Sequence, residues 1–199
     1  MAGTLRERRR QMLRDEILQA AQALIVEKGY GAMSMDELAA VVGISKPTLY
    51  DYFPSKGALV VAAATHEMRQ LIDLLEEQPA GQTPLERLTL VLREMLQRHM
   101  RMQTMGIGPW PEIFRLLCEN EEALAYMERI DRDIVAQVQA GIAVGQIDAS
   151  LDPAAIVHAF YGLMAAMPKL RLSSIEMSDP QRTADGLVEI FVRGVSAPK

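Results

Sequence analysis

A chain of 199 residues has room for one or two compact units with a real core; aromatics at only 5% and plentiful Leu, Ala, Met, Glu, Gln and Arg favour helices over sheets. The single cysteine, Cys118, excludes an intrachain disulfide. With no apolar stretch after the early arginines and no run long enough to cross a bilayer, it predicts a cytoplasmic protein rather than a secreted or membrane one. The formal charge of −5 runs against a polyanionic partner until it is divided: residues 1–57 hold eight Lys/Arg against seven Asp/Glu, a net +1, which leaves −6 for the rest.

In chain order, the first feature is a basic arm, where Arg6, Arg8, Arg9, Arg10 and Arg14 oppose only Glu7. It fits a phosphate track or, nearly as well, a solvated helix end. Residues 34–53 then read as two short helices around a tight turn. Ser34 caps the first, with Glu37 three residues on to complete a capping box, and Met33 and Leu38 stand at the positions of a hydrophobic staple. Gly43 sits where the chain turns sharply, since a residue without Cβ takes positive φ at little cost. Ser45 caps the second helix, and Pro47 in its first turn sacrifices no hydrogen bond. Leu38, Val42, Ile44, Leu49 and Phe53 supply a small core, and Ala39 permits close approach.

At about 100° per residue, an inward Leu49 turns Pro47 and Asp51 outward, with Thr48 and Tyr50 on the shoulders and Lys46 at the helix start. Hydroxyls, a lysine and free amides suit phosphate oxygens. Pro47 suits a thymine methyl, and Asp51 a cytosine amine. The plain alternative is a solvated surface.

Further breaks divide the remainder into helices. Ser55 caps a helix reaching about Gln78, and Pro79-Ala80-Gly81-Gln82 ends it. Thr83 with Glu86 forms a second capping box and Pro84 takes the first helical position of a helix running to Thr104. A short helix follows from about Pro111 to Cys118, a long one from Glu121 to Ala143, and Gly145 turns the chain. Asp152-Pro153 and Asp179-Pro180 open the last two. The prediction is an all-α chain of about nine helices without strands or repeats.

Residues 14–59 resemble the DNA-binding domain of TetR/AcrR-type transcriptional regulators. The likeness is carried by Ile17, Leu18, Ala21 and Leu24, by Gly29-Tyr30 and Ser34-Met35, and by the run Leu49-Tyr50, Tyr52-Phe53, Ser55-Lys56. It implies a helix-turn-helix domain over 1–57 and a helical effector-binding and dimerisation domain over 58–199. It also implies a homodimer that grips double-stranded operator DNA. By this resemblance Ser34, Lys46, Thr48, Tyr50 and Lys56 touch backbone or bases, and Ser45, Pro47 and Asp51 complete the expected DNA face. Asp51 departs from the basic or neutral residue that many relatives carry there.

Two further surfaces are expected. Thirteen methionines include several in the middle helices, and methionine suits a cavity that adapts to apolar ligands. The expected effector pocket comprises Met95, His99, Met102, Trp110, Phe114, Leu117, Met127, His158 and Tyr161, with ordinary core packing as the plain alternative. A two-fold operator requires two recognition helices about 34–36 Å apart. Residues 153–171 and 180–195 are therefore expected to form a four-helix dimer bundle through Ile156, Phe160, Leu163, Met167, Leu187, Ile190 and Phe191.

The expected function is a repressor released from its operator by a small apolar or aromatic effector. A ligand-dependent activator and a helical adaptor with a vestigial DNA-binding domain are the alternatives. An enzyme is not expected. His66, His99 and His158 lack metal-ligand spacing, no Gly-rich phosphate loop or GxSxG occurs, and no cofactor or metal is called for.

Overall fold

Residues 4–77, 81–104, 110–165 and 179–198 are described by the computed structural model, with the side chains of 101–104, 110–113, 165 and 180 left aside. Within them the chain forms nine helices: α1 (Leu5–Ala32), α2 (Met35–Val42), α3 (Lys46–Tyr52), α4 (Lys56–Glu76), α5 (Pro84–Thr104), α6 (Trp110–Cys118), α7 (Glu121–Ala143), α8 (Pro153–Ala165) and α9 (Pro180–Val195). The fold is all-α as expected, with Ile147 and Ser196 meeting at one isolated antiparallel bridge. None of the described helices is long and apolar enough to cross a membrane.

Local capping chemistry accounts for most of the boundaries. The Thr83 amide donates to the Glu86 carboxylate at 2.8 Å and the Glu86 amide to Thr83 Oγ1 at 3.3 Å, the reciprocal box anticipated for α5. Asp152 and Asp179 accept from the Ala154 and Gln181 amides at the starts of α8 and α9. Gly145, at φ 72°, turns the chain after α7. One box was not singled out in the sequence: Thr4 and Glu7 close α1's amino end, so the basic arm is helical from Leu5. Within α1, Gly29 adopts φ 83° and ψ 153°, a break that only glycine tolerates cheaply.

The chain resolves into two compact units, Met1–Glu67 with Thr104–Leu124, and Met68–Gln103 with Ala125–Lys199. This differs from the division expected at 57/58. Helix α4 continues unbroken through that point, and its early residue Leu59 is buried in the first unit's core. Helix α6 joins the same unit, so close that a Cβ on Gly57 would lie 3.2 Å from Leu116 Cδ1.

In the first unit, Ile17, Leu18 and Leu24 of α1 cluster with Leu38, Leu49 and Phe53. In the second, Leu88, Leu92 and Leu96 of α5 meet Ile134 and Val138 of α7 and Phe160 of α8. Phe160 also stands edge-on to Phe191, centroids 5.8 Å apart. These contacts correct the expected dimer surface: Ile156, Phe160 and Phe191 are consumed by their own unit's core. Apolar stripes of that breadth serve either purpose, and intrachain packing has claimed them. Leu163 and Leu187 are half-buried against the same core, Ile190 stands 66% exposed, and Met167 lies outside the described residues.

Candidate nucleic-acid interface

Helix α3 is short, so its seat must come from few side chains. Leu49 is fully buried, and Phe53, which follows the helix as its carboxy-terminal cap, is nearly so. The turn before it closes on Gly43 at φ 75° and ψ 29°, and the Ile44 amide donates to the Ala39 carbonyl at 3.0 Å. Ser45 Oγ accepts from the Thr48 amide at 3.2 Å and lies 2.7 Å from Thr48 Oγ1. The opposite side is open: Ser45, Lys46, Pro47 and Asp51 are exposed, Tyr50 is 45% exposed and Thr48 is half-buried.

Lys46 pairs with Asp36 of α2, Nζ to Oδ2 2.5 Å, and both side chains are about 60% exposed. A pair that open contributes about 0–1 kcal/mol, so exchanging the carboxylate for a phosphate costs little. Ser34 caps α2 by accepting from the Glu37 amide at 3.1 Å. The return bond expected from Glu37 gives way to another partner, because its carboxylate takes a hydrogen bond from the Lys28 ammonium. That bond also holds the Lys28 pKa above its ordinary value.

Lys56 is turned differently from the expectation. Its ammonium donates to the Met33 carbonyl at 2.7 Å, reaches the Gly31 carbonyl at 3.4 Å and sits 4.2 Å from the centre of the Tyr30 ring. Burial lowers its pKa. Two arginines of the basic arm are also turned onto rings, Arg10 at 5.7 Å from the centre of Tyr52 and Arg14 at 4.9 Å from that of Phe53. Spacing would have revealed them: Arg10, Arg14, Ile17, Leu18 and Ala21 recur on one side of α1, which is buried from Ile17 onward, half-buried at Arg14 and exposed at Arg10. Arg6, Arg8 and Arg9 stand exposed on the first turns of that helix.

The expected effector-pocket residues fall in both compact units. Met95 and Tyr161 pack on the second unit's core, His99 is buried on α5 and Met127 is half-buried on α7. Burial lowers the His99 pKa, and it raises that of Tyr161, whose hydroxyl donates to Asp131 at 2.9 Å. Leu117 and Phe114 belong to the first unit, the former buried and the latter exposed. His158 faces outward from α8, with Nδ1 2.7 Å from the Ala154 carbonyl, and so does not line that core. The side chains of Met102 and Trp110 lie outside the described residues.

Comparison with known proteins places this geometry. Residues 17–63 match the family described as bacterial regulatory proteins, tetR family. The chain is 39% identical over 88 residues to the HTH-type transcriptional repressor KstR of Rhodococcus jostii, a stretch covering 44% of this chain and 41% of that protein. It is 41% identical over 59 residues to the HTH-type transcriptional activator FasR of Mycolicibacterium smegmatis, covering 30% and 27% respectively. These matches span less than half the length of either relative. A solved structure described as the molecular basis for control of antibiotic production by bacterial hormones is similar over nearly everything: 92% of this chain and 97% of that one, at 27% identity and TM-score 0.67. With a buried Leu49–Phe53 seat and an open α3 face, residues 17–63 carry the match to the tetR family of bacterial regulatory proteins, and the likeness to that solved structure extends over the rest of the fold.

Proposed function

We propose that this protein is a homodimeric repressor that grips a palindromic operator in the cytoplasm and is released by a small apolar or aromatic effector. The observation that carries the reading is the division of α3: Leu49 and Phe53 fix its inner side while Lys46, Pro47, Tyr50 and Asp51 stand open on the outer one. A helix so held presents base-reading and phosphate-binding groups without having to order them at the moment of contact. Ser34, Ser45 and Thr48 add hydroxyls beside it. The likeness to a named repressor favours repression.

Dimerisation is assigned to the open sides of α8 and α9, with Ile190, Leu163 and Leu187 at its centre. Ala155, Ala159 and Gly162 are exposed on α8 and would let a second copy approach closely. Effector binding is assigned to the interior of the second unit near Met95, His99, Met127 and Tyr161. The effector acts only through its preference for a form whose recognition helices no longer match the operator. A typical coupling of about 1–3 kcal/mol changes affinity roughly 5- to 150-fold.

The test is a gel-shift series on the duplex that the wild-type protein selects from a random-sequence pool. Lys46→Ala and Tyr50→Ala are each expected to weaken binding by about 1–3 kcal/mol, roughly 5- to 150-fold. Equal binding by all three proteins would remove α3 as the reading element. Activation is the second reading, favoured by the likeness to a named activator. Transcription in vitro from a promoter bearing the selected duplex separates the two, because a repressor lowers the transcript and an activator raises it.

A further inference from the structure

The cations of the helix-turn-helix unit are not equivalent. Among the described residues Lys46 is engaged by a carboxylate as exposed as itself, and Arg6, Arg8 and Arg9 are open to solvent. Arg14 and Lys56 are half-buried, each is laid over an aromatic ring, and Lys56 also donates to a backbone carbonyl. Both converge on one place, the corner where α3 gives way to α4. Arg14 covers Phe53, the cap that ends α3, from the side of α1. Lys56, the first residue of α4, ties the same corner to Tyr30 and Met33 at the junction of α1 with α2. To reach a phosphate, Lys56 would have to leave the Met33 carbonyl without this donor and give up the ring face.

Resting on the regulator reading, we infer that Arg14 and Lys56 are positioning residues that set the angle of α3 against α1 and α2. Phosphate neutralisation then falls to Lys46 and the open Arg6, Arg8 and Arg9. A ring-bound cation over a desolvated face holds about as well as a good hydrogen bond. The depressed proton affinity of Lys56 agrees with an ammonium withdrawn from water.

Salt dependence separates the two kinds of cation, because each neutralised phosphate contributes about 0.9 to the slope of log affinity against log salt. The probe is the duplex selected by the wild-type protein, used unchanged for every variant. Lys46→Gln is expected to lower the slope by about 0.9, and the triple replacement of Arg6, Arg8 and Arg9 by Gln to lower it further. Lys56→Met, which keeps the apolar stem, is expected to weaken binding several-fold at every salt concentration with the slope unchanged. Tyr30→Leu is expected to do the same, and the double variant to add no further loss. Arg14→Gln provides an independent arm with the same signature should Lys56→Met not fold.

A slope reduced by about 0.9 in Lys56→Met, or wild-type affinity in both Lys56→Met and Tyr30→Leu, overturns the inference. Failure of the wild-type protein to bind any duplex in a salt-dependent way overturns the proposed function and this inference with it. Loss of slope at Lys56 with wild-type binding intact overturns the inference alone.

Discussion

The first unit seats a seven-residue helix on Leu49 and Phe53 and finishes the corner with cations over rings, whereas the second packs long helices around Leu88, Leu92, Ile134 and Phe160. The contrast follows from what each leaves uncovered. Helix α3 keeps Lys46, Pro47, Tyr50 and Asp51 in solvent, so few of its residues are left to bury, and caps and braces must supply the rest. Helices α5 and α7 have whole stripes to bury, so their caps add to a hold that packing already provides. An element that must meet a partner is therefore held by its ends and neighbours more than by its own apolar surface.

Deleting a ring from the larger core should produce the greatest effect. Phe160→Ala removes a fully buried side chain stacked edge-on against Tyr161 and Phe191 and is expected to destabilise by about 3–5 kcal/mol in urea unfolding. Leu49→Ala should cost somewhat less, about 2–5 kcal/mol, but confined to the first unit. Hydrogen exchange would then show lost protection at α2 and α3 with α5 and α7 unchanged. Loss spread evenly over both units would erase the contrast. Gly43→Ala places a Cβ at φ 75° and should cost about 1–2 kcal/mol, read as a lowered thermal midpoint, although no neighbour obstructs the new atom.

The smallest effect belongs to the capping box of α5. Thr83→Ala should cost about 1 kcal/mol in the urea midpoint. The Thr83 amide, then its hydroxyl, hold the Glu86 carboxyl below the usual glutamate range. A depressed pKa means that this stabilisation is present above the unfolded carboxyl's pKa and disappears as pH falls through the folded one. The wild-type and Glu86→Gln stability curves should accordingly converge on acidification. Parallel curves down to the lowest pH at which the protein folds would remove the box as a pH-dependent element.

Much of the candidate site was legible because its signals are short-range. Ser45 and Thr48 interact across three residues, and Leu49 followed by Phe53 marks a single helical face. The Thr4–Glu7 box was equally legible, three residues apart at the start of the arginine-rich arm. The competition for Glu37 was not legible, since Lys28 lies nine residues away on another helix. The same holds for Lys56, whose acceptors Gly31 and Met33 precede it by 25 and 23 residues.

The amino-acid order alone determined where helices begin and end, the left-handed turn at Gly43 and the inward face of α3, because capping, backbone freedom and periodicity act over four residues or fewer. Only the tertiary structure decided which apolar stripes close on their own unit and which stay open. Ile156, Phe160 and Phe191 went into the core and Ile190 did not, although all four read alike along the chain. It also decided which cations face solvent and which face rings. A stripe or a charge specifies what it can contact, while the helix that arrives beside it is set by how every other segment packs.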